Sequence, residues 1–95
     1  MREKEIEAAL RKAAKKRNGM AFKFVSPGLS GVPDRLVLLP EGRCIFVELK
    51  RPGEKPRKVQ VLRMKQLRKL GFKTYVADSY ESIDKLLDEV MAGGV

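Results

Sequence analysis

The stretch Cys44-Ile45-Phe46-Val47-Glu48-Leu49-Lys50 permits few folds. In an extended strand successive side chains point to opposite faces. Ile45, Val47 and Leu49 therefore form one apolar row, while Cys44, Phe46, Glu48 and Lys50 share the other face. The apolar row needs a core packed against it. The opposite face carries a carboxylate and an ammonium separated by roughly 6.6 Å, two residue rises. Such a pair is costly to bury without partners, so it needs solvent or a function. A second strand, from about Asp34 through Leu39, precedes it across the turn Pro40-Glu41-Gly42-Arg43, so the two are expected to form a hairpin.

The flanks supply the layers. Residues 2–17 place Ile6, Ala9, Leu10 and Ala13 at helical spacing, with Asn18-Gly19 as a stop. Early acids (Glu3, Glu5, Glu7) and late bases (Lys15, Lys16, Arg17) suit the helix dipole. Residues 20–25 read as a strand and Ser26–Gly31 as a loop. Beyond the hairpin, Arg51–Pro56 is an exposed basic loop. A helix over about Lys58–Leu70, ended by Gly71, has Val59, Leu62, Gln66/Leu67 and Leu70 as its expected inner stripe. Phe72–Ala77 form a fourth strand. Asp78 is the expected cap of a last helix, with Glu81 completing a capping box and Ile83, Leu86, Leu87, Val90 and Met91 facing inward. The order α-β-β-β-α-β-α places the third and fourth strands parallel through a crossover, giving an α/β domain over residues 1–95 with a mixed four-stranded sheet flanked by helices.

Composition removes whole classes of chemistry. The 95 residues contain no His and one Cys, which excludes imidazole catalysis, a disulfide framework and cysteine zinc sites. Cys44 is expected to be a small buried residue, with no base to activate it. A formal charge of +9 points to a polyanion, nucleic acid first, because a basic surface attracts phosphates and releases their counterions. The charge is uneven: residues 1–77 carry +13, and the final helix is acidic. Neither a signal peptide nor an apolar run of membrane-spanning length is read, so a cytoplasmic setting, bacterial or of a virus-infected host cell, with no membrane partner is expected.

Hairpin register can bring the Asp34 carboxylate close to that of Glu48. Two carboxylates converging at a sheet end make a hard-oxygen site for Mg²⁺ or Mn²⁺. With Pro33-Asp34 and Glu48-Leu49-Lys50 fourteen positions beyond the Asp, the chain resembles the PD-(D/E)XK nucleases. Gly31-Val32-Pro33-Asp34-Arg35, Val47-Glu48-Leu49-Lys50-Arg51-Pro52 and Gln60 in the next helix resemble the VRR-NUC branch, over nearly the whole chain from about Glu3 to Tyr80. The resemblance implies a restriction-endonuclease-like core and a Mg²⁺- or Mn²⁺-dependent endonuclease, of a kind often encoded by viruses, including bacteriophage. Small stand-alone members of this kind cut branched DNA, including four-way (Holliday) junctions. In such a site Asp34, Glu48 and the backbone carbonyl of Leu49 would hold the metal, with Glu7 of the first helix as a further ligand and Glu3 as the other candidate. Lys50 would orient the attacking water or stabilise charge on the phosphate, and Gln60 would bond a metal water or the phosphate.

Phosphate contacts are expected from among Arg35, Arg51, Lys55, Arg57 and Lys58. No groove-reading helix and no aromatic stacking platform stands out, so DNA shape is the expected basis of selection. Paired incision of a junction needs two sites, which implies a homodimer, with Tyr80, Ile83, Leu87 and Met91 as the expected contact face. Nicking or flap cutting, or a catalytically silent DNA-binding module of the same fold, are the alternatives.

Overall fold

The structure is a computed structural model that describes residues 2–93. In chain order it contains α1 (Glu3–Lys16), β1 (Met20–Lys23), β2 (Arg35–Leu39), β3 (Arg43–Leu49), α2 (Lys58–Lys69), β4 (Lys73–Ala77) and α3 (Tyr80–Ala92). The four strands form one sheet in the order β1-β2-β3-β4. β1 and β2, and β2 and β3, pair antiparallel, whereas β3 and β4, separated by α2, pair parallel. This is the mixed sheet expected from the element order.

Strand alternation divides the sheet as the sequence implies. Val37, Leu39, Ile45, Val47, Leu49 and Ala77 bury against Ile6, Leu10 and Ala14 of α1 and Ile83, Leu86, Leu87 and Val90 of α3. Arg17 at the end of α1 ties that helix to α3 through Asp88 (2.8 Å) and Asp84 (3.4 Å). On the opposite face a thinner layer forms, where Phe46 makes edge-to-face contacts with Phe24 (6.1 Å) and Phe72 (5.8 Å).

Two expectations about helices need correction. The inner residues of α2 are Gln60 and Met64, while Leu62 and Leu70 are exposed. The helix covers the charged and aromatic face of the sheet, so its inward stripe is part polar. In α3 the cap is Ser79, whose hydroxyl accepts from the Ser82 N–H (3.1 Å), while the Ser82 hydroxyl accepts from the N–H of Ser79 (3.0 Å). Asp78 and Glu81 are therefore not the capping pair. The chain enters the helix one residue later than expected, and Ser82 completes the reciprocal pair in place of a Glu.

The loop between β1 and β2 is fixed at both ends of its second half. Arg63 of α2 donates to the Ser30 carbonyl (2.8 Å). Gly31 has φ +83°, and a Cβ there would sit 2.7 Å from the Val59 carbonyl oxygen. Only glycine allows this approach. The loop thus delivers Asp34 from a fixed position beside α2.

Candidate active site

Asp34 lies one step beyond the register pair Arg35↔Val47, which sets it opposite Glu48 on the α2 face of the sheet. Its Oδ1 accepts from the Leu49 N–H (3.2 Å), and its backbone carbonyl accepts from the Phe24 N–H (2.8 Å). Three strands therefore converge on this residue. Antiparallel pairing supplies the convergence, because residues directly opposite share a face.

Glu48 is buried, at 4% exposure. Its Oε2 accepts from Gln60 Nε2 (3.1 Å) and lies 3.7 Å from Lys50 Nζ. Its Oε1 is buried without any hydrogen-bond partner. The carboxyl is pushed up to about 7, first by burial, then by the Asp34 carboxylate, with Lys50 acting in the opposite direction and Glu3 adding a smaller upward push. An acid with one orphaned oxygen, facing a second acid, is a poor way to end a strand in the absence of a cation.

That donor set fits a hard divalent ion. Among the described residues no group of three His, Cys, Asp or Glu forms a closed metal cluster. Mg²⁺ does not need one, since it is usually held by one or two carboxylates with waters and substrate phosphate completing the shell. Asp34 and Glu48 would be the two carboxylates available to such an ion.

Gln60, expected to bond a metal water or the phosphate, has partners in the protein that the sequence did not show. At 7% exposure it is no surface residue: its Oε1 accepts from the Arg57 N–H (2.8 Å) at the start of α2, and its Nε2 donates to Glu48. Both ends of the amide thus make a bond within the protein, and through Nε2 Gln60 also orients Glu48.

The two α1 acids separate clearly. Glu3, Glu7, Asp34, Arg35, Lys4 and Lys23 line a cavity of about 380 Å³ at the sheet end. Glu7 is held by Arg35 (2.9 Å) and approached by Arg11 (3.9 Å). Glu3 has no ion-pair or hydrogen-bond partner among the described residues, and its charge is felt at Glu48. Glu7, expected as the helix ligand, is thus paired with Arg35, as Asp34 also is, while Glu3, the other candidate, lies on the same cavity without such a partner.

Arg35 stands apart from the other four residues among which phosphate contacts are expected. Expected among the phosphate contacts, it is 8% exposed, with its guanidinium bonded to Glu7 and 3.3 Å from Asp34 Oδ2. Its Cβ faces α1, on the side of Val37 and Leu39, so the side chain runs inward before reaching the acids. Arg51, Lys55, Arg57 and Lys58 do lie exposed immediately beyond Lys50, as expected. Cys44 is half-buried on the site-facing side of β3 but at its far end, four residues from Glu48.

The expected dimer face also fails in part: Ile83 and Leu87 are 1% and 0% exposed, buried in their own core, which leaves Tyr80 exposed and Met91 half-buried. No helix among the described residues is long and apolar enough to cross a membrane.

No family profile matches the chain. It is 51% identical over 81 residues to "Putative nuclease p44" of Acyrthosiphon pisum secondary endosymbiont phage 1, covering 85% of this chain and 87% of that protein. Among solved structures it is similar to a VRR_NUC domain at TM-score 0.84 and 32% identity, covering 90% of this chain and 94% of the other. A VRR_NUC domain protein is similar at TM-score 0.77 over 99% of this chain and 91% of the other; at 16% identity it speaks for the fold alone.

Proposed function

Because this chain belongs to the VRR-NUC family of PD-(D/E)XK nucleases, we propose that it is a divalent-metal-dependent endonuclease that hydrolyses phosphodiester bonds in DNA. The observation that carries the reading is the Glu48 carboxylate, buried with one oxygen unpartnered and set opposite Asp34. Asp34, Glu48 and the Leu49 carbonyl would hold Mg²⁺ or Mn²⁺, with Glu3 in place of Glu7 as the acid contributed by α1. An ion held there would supply positive charge at the scissile phosphate and lower the pKa of a water.

The remaining steps belong to side chains. Lys50, 9% exposed and held beside Glu48, presents an ammonium that orients the attacking water or stabilises charge developing on the phosphate. Gln60 fixes the Glu48 carboxylate so that its free oxygen keeps one direction. Arg51, Lys55, Arg57 and Lys58 then bind phosphates on either side of the cut.

The finer proposal is that the substrate is branched DNA, four-way junctions among them, recognised by shape, and that two copies act together. One chain supplies one Asp34-Glu48-Lys50 site, and paired incision needs two related by a two-fold axis. The setting proposed is the cytoplasm of a phage-infected bacterium. The test is cleavage of single-stranded, nicked, flap and four-way substrates with Mg²⁺ or Mn²⁺, with sedimentation on the same samples. Asp34→Asn and Glu48→Gln should abolish cleavage while DNA binding survives. Near wild-type cleavage by either variant would remove the assigned site. A chain that binds but never cuts would be a silent DNA-binding module, and a monomer active on flaps or nicks would remove paired resolution.

A further inference from the structure

Arg35 interrupts a pattern. On the α1 face of β2 its successors are Val37 and Leu39, both buried, and its cross-strand neighbour is Val47, also buried. An aliphatic residue would continue that row. A guanidinium is found instead, at 8% exposure, with its Nε buried and unpartnered. Burying a cation with one donor unsatisfied is not a route to stability, since well-packed apolar replacements of buried ion pairs are often neutral or stabilising.

The fork reaches two elements at once. One terminal nitrogen donates to Glu7 Oε2 on α1 (2.9 Å); the other donates to the Asp34 backbone carbonyl (2.9 Å) and lies 3.3 Å from Asp34 Oδ2. Asp34 Oδ1 is taken by the Leu49 N–H, so the carboxylate is held from both ends, by β3 on one side and the guanidinium on the other. A planar fork holds two acceptors in fixed directions through two separate nitrogens, which the single nitrogen of an ammonium does not.

We propose that Arg35 is a positioning residue for the metal site: it aims the Asp34 carboxylate toward Glu48 and neutralises Glu7, keeping that acid from drawing the ion away. This rests on the nuclease reading above. Glu3, Glu7, Asp34 and Glu48, when ionised, face Arg35 and Lys50, a net charge of −2 over these six groups, which one divalent ion would balance. Without Arg35 the same groups carry −3, and an uncompensated Glu7 becomes a competing ligand. Affinity for the ion and turnover should then move in opposite directions.

The experiment uses the full chain and two variants, Arg35→Met, which is close in length and apolar, and Arg35→Lys, which keeps the charge and loses the fork. Mn²⁺ binding is measured calorimetrically without DNA, alongside thermal unfolding and single-turnover cleavage with Mg²⁺. Arg35→Met should bind Mn²⁺ at least as tightly as wild type, yet cleave about 10- to 100-fold more slowly, the range common for residues that orient metal ligands. Arg35→Lys should recover ion affinity near the wild-type value while recovering little of the rate. Glu7→Gln combined with Arg35→Met should lose less than the product of the two single effects. Wild-type rates in both Arg35 variants, or a loss that matches the fraction unfolded, would overturn the proposal. A wild-type chain that neither binds Mn²⁺ nor cuts DNA would overturn the nuclease reading with it, whereas cutting by wild type and none by Asp34→Asn leaves that reading standing and puts Arg35 alone to the test.

Discussion

Glu48 concentrates the conflict between folding and function in one carboxyl group. Its ordinary value is 4.5, and in the folded chain burial, then Asp34, raise it to about 7. A raised acid favours the folded state when protonated, so the metal-free protein keeps its full stability below about pH 4.5 and loses part of it as pH rises through 7. The loss is on the order of 3 kcal/mol at most, at 1.36 kcal/mol per pH unit. Glu48→Gln removes the ionisation at nearly constant volume. Metal-free Glu48→Gln should therefore melt above wild type at pH 8, the gap should narrow toward pH 4.5, and Mn²⁺ should raise the melting temperature of wild type alone. A gap that widens on acidification would show that the carboxylate, rather than the acid, stabilises the fold. Asp34, Glu48 and Lys50 were legible in the sequence because strand alternation is a local property. Gln60 and Arg35 were legible as candidates but their partners were not, because which partner a long side chain reaches depends on elements far away in sequence.

At the scale of elements, the strands and helices follow the periodicities closely, with ends displaced by one or two residues. The exceptions share a cause. α2 was expected to turn Leu62 and Leu70 inward, on the assumption that a helix buries its most apolar stripe. Its partner face carries Glu48, Lys50 and an aromatic row, so Gln60 and Met64 turn inward instead. The start of α3 illustrates the same limit on a smaller scale, since Asp78 and Ser79 are both good caps and only the chain's path chooses between them. Ser79→Ala should lower stability by about 1 kcal/mol, the usual value of a lost N-cap. Asp78→Ala should cost less, as its side chain makes no capping bond. Urea unfolding of the two variants checks the order, and a larger cost at Asp78 would return the cap to that residue.

For the whole molecule, charge distribution sets the mode of DNA binding. The first 77 residues carry +13 while α3 adds acids that engage Arg17, so the basic surface lies on the body and not on the last helix. Arg51, Lys55, Arg57 and Lys58 are exposed around the entrance to the site. Each phosphate contact contributes about −0.9 to the slope of log affinity against log salt on duplex DNA. With these four engaged, the slope should be about −3 to −4, independent of base sequence, and Arg51→Ala should reduce it by about one contact. Titration of labelled duplex and junction DNA from low to moderate salt measures this directly. A flat salt response, or affinity restricted to one sequence, would contradict a phosphate-reading surface.

The sequence by itself determined the order of elements, the parallel crossover through α2 and the face on which Asp34, Glu48 and Lys50 meet. Each follows from short-range periodicity, turn chemistry or chain connectivity, which the residue string carries openly. The tertiary structure alone decided that Gln60 holds Glu48, that Arg35 turns inward to Glu7 and Asp34, that Glu3 is left open to the cavity, and that Ile83 and Leu87 are core. These outcomes depend on which surfaces α1, α2 and α3 cover. Long charged side chains of one type can end in solvent, on a phosphate or in a buried pair, and only packing across the sheet selects among those ends.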